Sequence, residues 1–204
     1  MKIGIIDYKA GNLKSVANAI RFVGRVDPMI VQEPKQLLAC DKVILPGVGA
    51  FPRAMQNLEA QGFCDALHEA VMVRQKWFLG ICLGMQLIMD KSYEHGETEG
   101  LKWVRGDVRP MAGRTPYSIP HMGWNDIQII RPDRLLADIE GGADFYHVHS
   151  FFVQCEDRAD VLATCHYGFD FDTVLRKDNV FAVQFHPEKS QRHGLKILQN
   201  FLEI

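Results

Sequence analysis

The chain has 204 residues, of which 47% are hydrophobic and 24% charged, a composition typical of globular proteins and unlike that of disordered or collagen-like chains. With 23 Lys and Arg against 25 Asp and Glu, the formal net charge is −2, which excludes a summed basic field for nucleic acid or an anionic membrane. We therefore expect neither a nucleic-acid nor a membrane partner, and a ligand that is a small molecule or another protein.

Cysteine usage and hydrophobic runs indicate a reducing, aqueous compartment. The five cysteines are odd in number and include no C-x-x-C pair, so neither a disulfide framework nor a zinc knuckle is predicted. Asp7 follows the N-terminal apolar residues too early for a signal peptide, and no run reaches the roughly 18 apolar residues of a membrane span. The expected location is the cytoplasm.

The first half of the chain alternates predicted strands with predicted helices. Apolar runs predict strands over 2–7, 42–45 and 77–81. Helical spacing predicts helices over 13–23, over 52 to about 74 with a break near Gly62, and over 83–89. This alternation implies right-handed crossovers and an α/β fold with an open, mostly parallel central sheet that carries helices on both faces.

After Gly100 short strand-like runs follow one another with turn residues between them. They cover 126–130, 145–153, 161–164, 171–175 and 180–185, and we predict them to be antiparallel. A helical pattern over 195–202 comes last. Since no repeat, linker or low-complexity segment is present, we predict one domain over residues 1–204.

A glycine-flanked cysteine follows the predicted strand 77–81. The strand-to-helix context of Gly80-Ile81-Cys82-Leu83-Gly84 predicts a nucleophile elbow, whose strained turn points the sulfur out at the C-terminal edge of the sheet. The following helix offers amide N–H groups to an oxyanion. A buried structural cysteine between small residues is the alternative that this pentapeptide leaves open.

A histidine motif ends the run 180–185. In Phe185-His186-Pro187-Glu188, residues two apart on an extended segment point the same way, so Glu188 can orient the imidazole of His186 toward a nucleophile. A zinc deaminase also uses H-x-E but needs a downstream P-C-x-x-C, and no cysteine follows Cys165. A histidine hydrogen-bonded in the turn before Pro187 is the structural alternative.

Five stretches carry a family resemblance, in family order and over nearly the whole chain. They are DYKAGNL at 7–13, LPGVGAF at 45–51, PHMGWN at 120–125, HVHSF at 147–151 and QFHPEKS at 184–190. Together with GICLGMQ at 80–86, they resemble the flavodoxin-like class I glutamine amidotransferase family, and more narrowly the glutaminase subunits of imidazole glycerol phosphate synthase.

The resemblance implies a Cys-His-Glu triad. Cys82 attacks the side-chain amide of glutamine, His186 gives a proton to the leaving ammonia, and Glu188 orients His186. The implied oxyanion hole uses the N–H of Leu83 and an N–H in the segment Val48-Gly49, where a peptide flip could act as a switch.

The resemblance also implies a glutamine pocket made by Gln86, Glu94, Ser150 and Phe151. No cofactor is implied. His147 and His149 lie on one face of a predicted strand, and with no third ligand in view we interpret them as structural and predict no metal.

A partner protein is implied as well. Ammonia in water is mostly protonated, and the sequence has neither a phosphate-binding loop nor a basic cluster to hold a phosphosugar acceptor. The implied partner is a (βα)8 cyclase, forming a heterodimer that makes imidazole glycerol phosphate and an aminoimidazole carboxamide ribotide in histidine biosynthesis. Asn12, Met122, Trp124 and Lys189 match family positions at that interface.

Two departures from the family pattern leave alternatives open. Lys9 stands where many members have glycine, and Phe151 replaces a more usual tyrosine. A paralogue that feeds ammonia to another cyclase-like synthase, for instance in amino-sugar modification, remains a candidate. The stretch 120–125 argues against triad amidotransferases of pyridoxal phosphate or GMP synthesis. The intact triad argues against a noncatalytic partner-binding subunit, and a cysteine hydrolase acting alone predicts high turnover without a partner.

Overall fold

The computed structural model describes residues 1–204, and its sheet begins as a parallel unit. The elements of the first half are β1 (Ile3–Ile6), α1 (Leu13–Gly24), β2 (Met29–Val31), β3 (Lys42–Gly47), α2 (Phe51–Ala60), α3 (Phe63–Leu67), β4 (Trp77–Cys82) and α4 (Leu83–Leu87). β2, β1, β3 and β4 lie side by side and pair in parallel. Gly47 pairs with Cys82 at the C-terminal edge of this unit.

The second half extends the sheet with mostly antiparallel strands. Its elements are β5 (Met89–Ser92), β6 (Thr98–Glu99), β7 (Val104–Pro110), β8 (His121–Ile129), β9 (Asp144–His149), β10 (Phe151–Cys155), β11 (Val161–His166), β12 (Asp170–Lys177), β13 (Val180–Val183) and α5 (Gln191–Glu203). β13 returns beside β4 in parallel, and β12, β10, β7, β5 and β6 follow outward in that order. The chain after β13 is thereby delivered next to Cys82.

Helices cover both faces of the parallel unit, as the sequence predicts. Neighbouring strand residues face opposite sides of a sheet, so Ile5 joins the buried cluster that includes residues of α1 and α5, whereas Ile6 joins the cluster that includes residues of α2 and α3. The predicted α/β architecture is confirmed. No helix of the structure combines the length and the apolar character that a membrane crossing requires.

Several predicted boundaries are wrong for identifiable reasons. The predicted helix 83–89 ends at Leu87, because Met89–Ser92 pairs with β7 as a strand. The predicted strand 145–153 is two strands separated at Ser150, since β9 pairs with β8 whereas β10 pairs with β7. The predicted strand 180–185 ends at Val183 and is parallel to β4, although it is antiparallel to β12 as expected.

The last helix, α5, is fixed at both ends. Lys42 Nζ donates hydrogen bonds of 2.8 Å to the carbonyls of Phe201 and Leu202, satisfying acceptors that a helix C-terminus otherwise leaves open. At the other end, a Cβ on Gly194 would collide with the carbonyl of Pro187. α5 therefore packs directly against the turn that carries His186.

Candidate active site

Cys82 lies in the strained turn between β4 and α4. Its φ of 53° and ψ of −106° are outside the common regions for a residue with a side chain. A Cβ on Gly80 would stand 2.6 Å from the carbonyl oxygen of Gly84, and one on Gly84 would collide with the carbonyl of Leu45. The two glycines are therefore needed for the turn itself, as the elbow interpretation predicts.

His186 and Glu188 meet in a turn rather than along a strand. Pro187–Lys189 form a 3-10 turn after His186, so the expectation of an extended segment is wrong, because proline at the first position fixes the φ that a helical turn requires. The pair still forms, with His186 Nδ1 at 2.9 Å from Glu188 Oε1. Both side chains are almost fully buried.

The surroundings of His186 favour its protonated form. Burial lowers the pKa of the imidazole, but the nearby Cys82 sulfur and the hydrogen-bonded Glu188 carboxylate together raise it further, to about 10. Its other nitrogen, Nε2, is buried and has no hydrogen-bond partner. This nitrogen is thus available for proton transfer beside the sulfur.

A chain of amides links the wall of the site to Cys82. Gln86 Nε2 lies 3.2 Å from both the carbonyl of Phe151 and Oε1 of Gln184, and Gln184 Nε2 lies 3.7 Å from the sulfur of Cys82. The sequence interpretation gave Gln184 no role. Its position two residues before His186, at the end of a buried strand, is the signal that could have identified it.

A cavity of about 340 Å³ brings the remaining predicted pocket residues together with the cysteine. Its lining comprises Val48, Gly49, Cys82, Leu83, Gln86, Glu94, Pro120, Val148, His149, Ser150 and Phe151. Glu94 is held there by its Oε2, which accepts a 2.7 Å hydrogen bond from the N–H of Phe51 at the start of α2. The predicted oxyanion and glutamine-binding residues therefore share one cavity.

The residues predicted for a partner interface lie on β8, in the turn after His186 and at the start of α1. Met122 and Trp124 are exposed on β8. Trp124 contacts the Tyr146 ring edge-on, and Lys189 Nζ lies 5.7 Å from the centre of the same ring. Asn12 is exposed at the start of α1, where its Oδ1 accepts a 3.3 Å hydrogen bond from the N–H of Ser15.

The structure shows the surroundings of Lys9 and Phe151, the two residues that depart from the family pattern. Lys9 has a φ of 65°, the left-handed region that glycine enters without cost, and its N–H donates to Asp7 Oδ1 at 3.1 Å. Phe151 contributes its backbone carbonyl, which faces both Gln86 and His149. These two contacts do not depend on the hydroxyl that tyrosine would carry.

A third histidine joins His147 and His149, so the premise that no further ligand is available is wrong. His121 Nδ1 lies 3.2 Å from His149 Nε2, and His147 Nδ1 lies 3.3 Å from the same atom. Burial lowers the pKa of His121 to about 4 and that of His149 to about 3, and it lowers that of His147 strongly. His121 was missed because only the β8–β9 register, which pairs it with His149, brings it there.

Comparison with known proteins gives concordant matches. The family model "Glutamine amidotransferase class-I" matches residues 4–204. The imidazole glycerol phosphate synthase subunit HisH 1 of Campylobacter jejuni subsp. jejuni is 50% identical over 202 residues, with 99% of this chain and 100% of that protein covered. The HisH subunit of Geobacter sulfurreducens is 43% identical, with 100% and 99% covered.

Solved structures agree at the level of the fold. A glutamine amidotransferase crystal structure has a TM-score of 0.77 at 18% identity, with 98% of this chain and 97% of that chain covered. The structure of PurLQS from Thermotoga maritima also has a TM-score of 0.77 at 18% identity, with 99% and 97% covered.

Proposed function

This chain belongs to the class-I glutamine amidotransferase family, within the HisH subunits of imidazole glycerol phosphate synthase, and from that premise we propose how its residues hydrolyse glutamine. The Cys82 thiolate attacks the side-chain amide carbon of glutamine. The tetrahedral intermediate collapses as His186 Nε2 gives its proton to the departing nitrogen, leaving a glutamyl thioester and ammonia. His186 Nε2 then takes a proton from water, and the resulting hydroxide attacks the thioester carbon. The carbon–sulfur bond breaks to release glutamate, which leaves the Cys82 thiolate beside a protonated imidazole.

One observation carries this proposal above the others. The 2.9 Å contact between His186 Nδ1 and Glu188 leaves Nε2 free, and the raised pKa of His186 reflects the adjacent Cys82 sulfur. A cysteine, an imidazole and a carboxylate in that relation match the requirements of an activated nucleophile.

The negative charge that develops on the amide oxygen during attack needs hydrogen-bond donors. The N–H of Leu83 and an N–H in Val48-Gly49 are our candidates, since all three residues line the cavity with Cys82. Losing one such donor reduces the rate by about 10²–10³, so a peptide flip at Val48-Gly49 between resting and activated states would be an effective switch. Structures of both states with an unchanged peptide there would contradict it.

The glutamine itself is proposed to occupy the 340 Å³ cavity. The side chains of Gln86 and Glu94 and the strand segment Ser150-Phe151 line it. Glu94 accepts a hydrogen bond from the Phe51 N–H, which fixes its position before substrate arrives.

The ammonia is proposed to pass to a (βα)8 cyclase subunit, with which this chain would form a heterodimer. The exposed Met122 and Trp124, together with Lys189 and Asn12, are the proposed contacts. Trp and Met are enriched in interface cores. This assignment would place the chain in histidine biosynthesis, as the names of its HisH relatives indicate for those proteins.

Replacing the nucleophile tests the proposed function. With the cyclase subunit and its ligand present, Cys82→Ala should reduce glutamine hydrolysis by at least about 10⁴-fold, while synthesis supplied with ammonium salt continues. Cys64→Ala is the matched control, because Cys64 is a half-buried cysteine outside the cavity, and it should retain activity. Glutamine-dependent synthesis by Cys82→Ala close to that of the wild type would contradict the proposal.

A further inference from the structure

Three buried histidines form a cluster that the proposed mechanism does not use. We name His121, His147 and His149 the histidine cluster; one nitrogen from each lies within 4.8 Å of the others. All three side chains are at most 6% exposed. Nothing in glutamine hydrolysis by the triad requires three imidazoles packed in this way.

Two of the distances between the nitrogens fit a metal ion. Zinc binds imidazole nitrogen at about 2.0–2.1 Å in tetrahedral geometry, so two ligand nitrogens of one site stand about 3.3 Å apart. His149 Nε2 stands 3.2 Å from His121 Nδ1 and 3.3 Å from His147 Nδ1. The His121 and His147 rings stack with their centroids 4.6 Å apart and their planes 19° apart, so an ion binds between these atoms once one of the two rings rotates to aim its lone pair at it.

The orientation of His149 is that of a metal ligand. Its Nδ1 donates a 2.8 Å hydrogen bond to the carbonyl of Phe151, so in the neutral ring the lone pair is on Nε2 and points into the cluster. Metal-bound histidines use this arrangement, in which the second ring nitrogen donates to a carbonyl or carboxylate. The outer nitrogen of His121 accepts a 3.2 Å hydrogen bond from Asn125 Nδ2, which His121 would have to give up to offer the lone pair of its Nδ1 to an ion.

Hydrogen bonds alone account for the cluster poorly. Since the single lone pair of His149 Nε2 faces two ring nitrogens, both His121 and His147 must donate to it. The outer nitrogen of His147 is buried without a partner, and it stays so whether or not an ion binds to Nδ1. Three lone pairs converging on one ion would replace two hydrogen bonds that compete for one acceptor.

We propose that the histidine cluster binds one divalent transition-metal ion of the zinc class. Imidazole ligands suit zinc, copper, nickel and cobalt rather than magnesium or calcium. Of the three histidines, His149 alone also lines the 340 Å³ cavity. A site of three histidines with one open position is an established form of zinc coordination.

Cobalt binding tests the proposal without reference to catalysis. The Cys82→Ser protein is titrated with Co²⁺, because removing the catalytic sulfur excludes a competing ligand. We expect the visible absorption of tetrahedral Co²⁺, saturation at one ion per chain, and displacement by Zn²⁺. Absence of any tetrahedral spectrum in this folded protein would overturn the proposal.

Histidine variants in the same background locate the ion. His121→Asn and His147→Asn should each weaken Co²⁺ binding by more than the roughly 10-fold that loss of an outer-shell partner causes. His68→Asn, which changes an exposed histidine elsewhere, should bind as the parent does. Equal binding by all three variants would place the ion elsewhere and refute the site.

X-ray absorption of the zinc-loaded Cys82→Ser protein remains decisive if the buried variants do not fold. Three imidazole nitrogens at about 2.0–2.1 Å from the metal would support the histidine cluster. Coordination by carboxylates with fewer than two imidazoles would overturn it.

Discussion

At the scale of single residues, Glu188 helps to set the pH at which His186 loses its proton. Its hydrogen bond and charge, with the Cys82 sulfur, outweigh the burial that lowers the pKa of His186, which stands at about 10. A raised pKa keeps the imidazole protonated through the neutral range, and the proton is lost as pH rises through the folded-state value. In the proposed mechanism, the capacity of His186 to protonate the departing nitrogen therefore fails on the alkaline side.

Glu188→Gln should shift the alkaline limb of the pH–rate profile for glutamine hydrolysis to lower pH and reduce kcat, because one cause of the raised pKa of His186 is removed. The profile is measured with the cyclase subunit present. Glu140→Gln, at an exposed glutamate, should leave the profile unchanged. An alkaline limb in Glu188→Gln that coincides with that of the wild type would show that Glu188 does not act on His186.

At the scale of elements, the elbow depends on the absence of two side chains. Gly84→Ala places a methyl group on the carbonyl of Leu45 in β3, and overpacking of this kind destabilises by about 1–3 kcal/mol. We expect urea denaturation to show a loss in that range and glutaminase activity to fall with it. Gly141→Ala is the control, since its added Cβ meets nothing within 4 Å; Gly84→Ala with the stability of that control would contradict the packing argument.

The sequence predicts some elements better than others for physical reasons. β1, β4 and α1 carry strong apolar patterns, and their predicted bounds lie within one or two residues of the structure. β5 and β6 are short and polar, and they exist because β7 offers a pairing edge to β5 and β5 offers one to β6. No pattern within residues 89–99 indicates that edge.

At the scale of the whole molecule, the exposed aromatic side of β8 is the proposed contact with the cyclase. Trp124→Ala should weaken the complex by about 2 kcal/mol, or roughly 30-fold in Kd, if Trp124 is a hot spot. Isothermal titration calorimetry with the cyclase subunit measures it. Phe22→Ala removes a more exposed aromatic, 74% against 48%, from α1 and should not change Kd. Equal affinities for the two variants would move the interface away from Trp124.

At the candidate site, as for the strands, the sequence predicts local motifs but not contacts that depend on strand register. Cys82 with its glycines, and His186 with Glu188, are local patterns, and the structure places them as neighbours because β13 lies beside β4. The contact between Gln184 and Cys82 and the contact between His121 and His149 join residues far apart in the chain. Both depend on strand register, which no single segment encodes.

The packing of α5 against the His186 turn has a consequence for synthesis on the ribosome. A chain translated as far as Glu188 already contains all three triad residues, yet lacks Ser190, whose hydroxyl donates to the His186 carbonyl at 2.6 Å, and Gly194, which packs on Pro187. The turn that orients the imidazole is therefore unsupported until α5 has emerged and folded. We therefore expect a chain that ends before α5 to hydrolyse little glutamine, because nothing holds the imidazole of His186 in place.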